Sequence, residues 1–173
     1  MKPLRSLIAL AAVLFPAALA AQESSSSCAA HHGSSHHDGV DARGDHVMGF
    51  DHMKTTHHFR LTPAGGVIEV TANSKDDTES RDAIRSHLAH IAKMFAEGTF
   101  EAPMLIHDQV PPGVPVMKRD RKSIHWIFEE VPSGGRVVAT TKDPAALEAI
   151  HEFLRFQIED HRTGDSTDIA AAP

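Results

Sequence analysis

The chain has little with which to cross-link, to bind nucleic acid or to settle in a bilayer. Cys28 is its single cysteine in 173 residues, so no intrachain disulfide can form and stability has to come from a packed core. The residues before Cys28 are serines and not the Leu-x-x-Cys arrangement of a lipoprotein, which predicts no lipid anchor. Basic residues number 17 against 23 acidic ones, and losing Lys2 and Arg5 with a cleaved leader makes the remainder more acidic still. That balance excludes a general nucleic-acid binder, whose phosphates demand a basic face. The one sustained apolar run, near the start, spans only about fifteen residues, short for a membrane helix. Nucleophile elbows, phosphate loops and dinucleotide fingerprints are missing, as are Cys-x-x-Cys and His-Glu-x-x-His.

The first residues, MKPLRSLIALAAVLFPAALAAQES, have a cationic start, an apolar stretch and Ala18-Leu19-Ala20, the small-x-small pattern of a signal peptidase site. They predict a signal peptide over 1–20, cleaved after Ala20, and a periplasmic or secreted product without membrane insertion. Residues 21–42 are mostly Ser, Gly, His and Asp, with too few apolar groups to offset the entropy of ordering, and are expected to be disordered. A single domain is expected over 43–165, with a flexible tail over 166–173.

Within the domain, HHFRL and VIEVTA flank TPAGG, and SIHWIFEE and RVVATT flank PSGG, each the signature of a β-hairpin. A helix follows each hairpin, opened by Asp76, Asp77 and Thr78 in one case and by Asp143 and Pro144 in the other. Aligning the glycines pairs Phe59 with Phe128, Gly65 and Gly66 with Gly134 and Gly135, Val70 with Ala139 and, after a gap, Leu88 with Leu154. The expected fold is therefore α+β: two ββα units forming a four-stranded antiparallel sheet with both helices on one face. The Pro-rich connection between the halves is read as a functional loop that packs through Phe100, Met104, Leu105, Ile106, Val114, Val116 and Met117.

What the chain has in excess is histidine, 14 residues in all. His31, His32, His36, His37, His46 and His52 suit weak metal capture by a flexible segment. The domain set is more specific. His87 and His90 are i, i+3 neighbours beside the apolar stripe of Ile84, Leu88, Ile91 and Phe95. His151 and His161 fall on the stripe of Leu147, Ile150, Leu154 and Ile158, and His161 alone is explained as a core residue. His125 lies in the second hairpin, and strand alternation lets just one of His57 and His58 face inward. Inward-facing imidazoles cost desolvation unless partnered, and one metal ion would satisfy several together. The expected ligands are His52, His57, His58, His87, His90, His125 and His151. Copper fits best, because Met48, Met53, Met94, Met104 and Met117 add soft thioethers, with zinc or haem as alternatives.

The segments RGDHVMGFDHMKTTHHFRL, IRSHLAHIAKMFAEGTF, PMLIHDQVPPGVPVMKR and AIHEFLRFQIEDHRTGD together resemble a family of small exported bacterial proteins rich in His and Met, with no settled function. The resemblance spans nearly all of 43–165 and implies that 43–56 belongs to the functional unit, but it supplies no catalytic residues. Chains of this kind attract labels such as aspartate carbamoyltransferase, yet the Ser-Thr-Arg-Thr phosphate site of that enzyme is missing here. The leading expectation is an exported copper-binding protein that buffers or delivers the ion. A periplasmic metal- or haem-dependent enzyme acting on a small molecule, and a pH-sensing interaction module, are the alternatives. A homodimer is compatible with all three.

Overall fold

Both hairpins turn on proline followed by a Gly pair, and that local chemistry sets the sheet. The computed structural model describes residues 27–171, with side chains from His36 onward. Strands β1 (Thr55–Thr62) and β2 (Gly65–Ala72) are joined through Pro63-Ala64, and β3 (Ile124–Val131) and β4 (Gly134–Thr141) through Pro132-Ser133. They form one antiparallel sheet in the order β1-β2-β4-β3. The central register is reciprocal: Gly65 pairs with Thr140 and Gly134 with Thr71, while Gly66 pairs with Ala139 and Gly135 with Val70. The turn bonds repeat the relation, with Thr141 N donating to Ala64 O and Ala72 N to Ser133 O. The two expected units are thus related by an approximate twofold axis through the β2–β4 seam.

Helices α2 (Thr78–Ala96) and α5 (Pro144–Asp160) follow the hairpins, N-capped by the Asp77 and Asp143 carboxylates. Both lie on one face, as expected, but each roofs the hairpin of the other unit. Leu154 of α5 sits where a Cβ on Gly66 would be, 2.1 Å from its Cδ1, and Leu88 of α2 lies 3.4 Å from the corresponding point on Gly135. Glycine is required at Gly66 because the helix leaves no room for a side chain. The helices are also pinned equivalently. Arg85 donates to Gly134 O and Val131 O at 3.0 and 2.9 Å, and His151 Nε2 lies 3.0 and 2.9 Å from Gly65 O and Thr62 O.

The repeat reaches further upstream than the ββα spacing indicates. A 3₁₀ turn precedes each hairpin, His52–Lys54 and Arg121–Ser123, each preceded by an aspartate, Asp51 or Asp120. Before these turns come α1 (Ser27–Met48) and α4 (Val114–Arg119), with Met48 and Met117 in matching places. The Pro-rich connection therefore differs from the loop expected. It folds into α3 (Glu101–His107) and α4, separated by Asp108 and Gly113 at φ 53° and 78°. Phe100, Val114 and Met117 are fully buried as anticipated, whereas Leu105 is 61% exposed.

The expected leader, and residues 21–26 of the Ser/Gly/His segment, lie outside the described residues. From Ser27 the backbone is helical, and from His36 it packs on the domain, so the boundary placed at 43 moves back. Composition did not reveal this because the anchors are few and distant: Val40 is 1% exposed, Arg43 donates to Ile106 O at 2.7 Å, and His36 and His37 reach Asp160. The tail expected over 166–173 is also tied down as far as Ala170, whose N–H donates to Leu61 O beside a Leu61–Ile169 bridge.

Candidate metal centre

The twofold relation lets one half of the molecule act as a control for the other. In the second half, Trp126 points inward from β3 and meets Phe95 at 5.0 Å between ring centroids, and Phe95 meets Phe153 at 6.1 Å. By the strand register and the Leu88/Leu154 match, the equivalents of Trp126, Phe95 and Phe153 are His57, His161 and His87. His57 and His161 stand 5.8 Å apart with ring planes 2° from parallel, and Phe50 touches both His57 and His87, at 6.0 and 5.8 Å. The other half carries an indole and two benzene rings at these positions, so the fold does not itself call for imidazoles.

His57, His87 and His161 line a common cavity of about 60 Å³ with Met48, Phe59 and Gln157, otherwise walled by aliphatic and aromatic side chains. None of the three imidazoles makes a hydrogen bond among the described residues, and His57 Nε2 is buried without a partner. Gln157 Nε2 is likewise unpaired. Burial depresses all three imidazoles: His57 to about 4, helped by the nearby His87; His87 to about 4, helped by His90; and His161 to about 3, helped by His107. Each is therefore neutral near pH 7 with a free lone pair, the state in which imidazole ligates a metal.

His107, which the sequence reading left without a role, stands behind this cluster. It ends α3, is 1% exposed, and packs edge-on against His161 at 4.9 Å. Its Nδ1 bonds the Asp160 carboxylate and its Nε2 lies 3.1 Å from Gln157 Oε1. Asp160 also bonds His36 Nε2 at 2.8 Å. Burial alone would raise the Asp160 carboxyl, but the hydrogen bonds from His36 and His107 outweigh it and hold the group below its ordinary range. This clasp ties α1, α3 and α5 together around the cavity.

Of the seven histidines expected to ligate, His57 and His87 both line the cavity and the others do not; among the described residues the one group of three or more His, Cys, Asp or Glu with ligand atoms within 4.8 Å of one another is Asp45, Asp51 and His52. His52 occupies a neighbouring recess of about 210 Å³ that His57, His161 and Met48 also line. There its Nδ1 lies 2.9 Å from Asp45 Oδ2, and Asp45, Asp51 and His52 each offer an atom within 4.8 Å of the others. The hydrogen bond to Asp45 raises the His52 pKa, so this group is the more basic, harder counterpart of the cavity. His58 alternates outward from His57 and bonds Asp165 through Nδ1 at 2.9 Å; Asp165 also accepts from Phe59 N at 2.9 Å. His125 follows the inward Ile124 and is exposed on the open face of the sheet. His90 is exposed on α2, one turn from His87 and outside the cavity.

His151 is buried but structural. Both of its neighbours are carbonyl oxygens, so Nε2 carries the proton and donates, as Arg85 does in the other half. His161 reverses the expectation in the other direction: read as core, it is central to the cavity. Its match to Phe95 in the repeat was the available signal. Among the described methionines only Met48 lines the cavity; Met117 is core and Met53 is 74% exposed.

No described helix is long and apolar enough to cross a membrane. No family model, curated protein or solved structure matches this chain, so the reading of the site rests on its chemistry.

Proposed function

We propose that the protein binds a single soft metal ion, copper(I) foremost, in the cavity of His57, His87 and His161, with Met48 as a thioether donor, and that it buffers or delivers that ion. One observation carries the reading: three positions filled by Trp126, Phe95 and Phe153 in one half hold three imidazoles around a shared cavity in the other. The donor set then selects the ion. No carboxylate lines the cavity, so a divalent cation would be buried with its charge uncompensated, at a high desolvation cost. A monovalent, thiophilic ion places half that charge there and accepts neutral imidazole and thioether donors. The 60 Å³ volume is far below that of a porphyrin, which argues against haem. Neutral ligands also mean that binding at pH 7 displaces no protons from these groups. The expected leader would place this activity in the periplasm or outside the cell.

The test is anaerobic copper(I) titration of the untagged mature chain in competition with bathocuproine disulfonate. One tightly held ion is expected, lost in a His57→Phe, His87→Phe, His161→Phe variant that retains the native far-UV spectrum. Undiminished binding in that variant, or no binding by the native chain, refutes the reading.

A further inference from the structure

The buried site needs a way to exchange its ion, and α2 supplies a graded set of donors leading out of it. His87, His90 and Met94 follow at i, i+3 and i+7 and so share one face of α2. All three line an open groove of about 210 Å³ between α2, Val47 of α1, and Glu101 and Leu105 of α3. His87 is common to this groove and to the cavity, His90 is exposed, and Met94 is half-buried. Neither imidazole has a hydrogen-bond partner among the described residues that would have to be broken on binding.

We propose that this groove is the exchange site for copper(I), with His90 and Met94 receiving the ion outside and His87 handing it inward. The step is ligand substitution without a change of oxidation state: as His57 or His161 releases the ion, Met94 or His90 takes its place, and His87 remains bound throughout. The ion never has to be bare in a low-dielectric interior, which is where the cost of moving a charge lies. The other flank of the cavity has different chemistry. Its recess is lined by Asp41 and by His52, whose imidazole is already engaged by the Asp45 carboxylate, an oxygen-rich set that suits harder cations. The groove on α2 adds a second imidazole and a second thioether to those of the cavity, with Glu101 the one carboxylate on its rim, so the donors that meet the ion stay of one type from groove to cavity.

This inference rests on copper(I) binding in the cavity, and the experiment separates the two. The full-length mature chain is loaded with copper(I) under anaerobic conditions and mixed rapidly with excess bathocuproine disulfonate, and the coloured complex is followed in time. A His90→Ala, Met94→Leu variant is expected to keep the equilibrium affinity of the native chain while transferring its ion about tenfold more slowly, a barrier higher by about 1.4 kcal/mol. An Asp45→Asn, His52→Ala variant is expected to transfer at the native rate. If the native chain holds no copper(I), the cavity reading fails and takes this one with it. If the native chain binds but the His90/Met94 variant transfers at the native rate, or the Asp45/His52 variant is the slow one, the exchange site alone is refuted.

Discussion

The two halves share a backbone plan and differ in what they place at its centre. Around Trp126 the rings of Phe95, Phe100 and Phe153 interlock at 4.4 to 6.3 Å, a packed aromatic core with nothing to titrate. Around His57 the corresponding positions hold imidazoles and a cavity remains; His57 Nε2 and Trp126 Nε1 are each buried without a partner at the centre of their halves, and the cavity adds Gln157 Nε2. The neighbouring recess continues the contrast. Asp45 and His52 stand where the other half has Val114 and Arg121, with Val114 1% exposed. Where the backbone plan is held constant, such a difference isolates what the fold needs from what it merely carries. Aromatic rings suffice at these positions in one half, so the imidazole set in the other is an addition to the fold, and it is expected to cost stability.

The most direct way to break that comparison is to replace the three imidazoles with hydrocarbon rings. His57→Phe, His87→Phe and His161→Phe together should abolish copper(I) binding, and should raise the apo protein's midpoint in thermal unfolding. Unpartnered buried polar groups cost roughly 1–3 kcal/mol each. A lower midpoint, with the native fold retained, would mean that the imidazoles stabilise this half and that the symmetry argument is wrong. Acid should expose the same difference. The unfolded chain takes up protons at these histidines near pH 6.5, whereas the folded chain resists until about 4 for His57 and His87 and about 3 for His161. Their contribution therefore favours unfolding increasingly as the pH falls below 6.5, at about 1.4 kcal/mol per pKa unit of difference, and levels off beneath the folded pKa values. Urea titrations of the apo protein between pH 7 and 4 should show a decline that the triple Phe variant largely lacks; equal slopes would place the acid sensitivity elsewhere.

Smaller changes sharpen the comparison where the halves agree. His151→Ala and Arg85→Ala each remove the pin from a helix to a hairpin turn, and each should cost roughly 1–3 kcal/mol by chemical denaturation, as for a buried hydrogen bond. His151→Ala should leave copper(I) affinity unchanged; a loss of binding would return His151 to the ligand set. The least effect belongs to His125→Ala. An exposed residue away from both centres should shift stability by no more than about 0.5 kcal/mol, and copper(I) titration should not distinguish the variant from the native chain.

Much of the scaffold was legible because it is written in short-range chemistry. Proline followed by paired glycines marks each turn, Asp77 and Asp143 mark each helix start, and the apolar stripes set the buried faces. The inward orientation of His57 needed only strand alternation once the hairpin was placed. What escaped depends on contacts far apart in the chain. His107 meets Asp160 and Gln157 across some fifty positions, and His36 meets Asp160 across 124. Nothing within α1 or the Pro-rich connection announces those partners. His161 failed for a different reason: a buried histidine on an apolar stripe is ordinarily core, and only its alignment with Phe95 sets it apart. His151 failed oppositely, since its inward position was read correctly and its two carbonyl acceptors were not foreseeable.

The crossed roofing of the sheet, with Leu154 over Gly66 and Leu88 over Gly135, has a consequence for how the chain assembles. A hairpin with its own following helix is not a closed unit here, because the helix that covers it is supplied from the other end of the molecule. Neither half has a complete core to itself, and the contacts that finish one are the contacts that finish the other. Folding is then a joint event resembling the association of two subunits on a tether. A chain cut between Asp108 and Gly113 should yield fragments that are each unstructured alone and that recover the native sheet only when mixed.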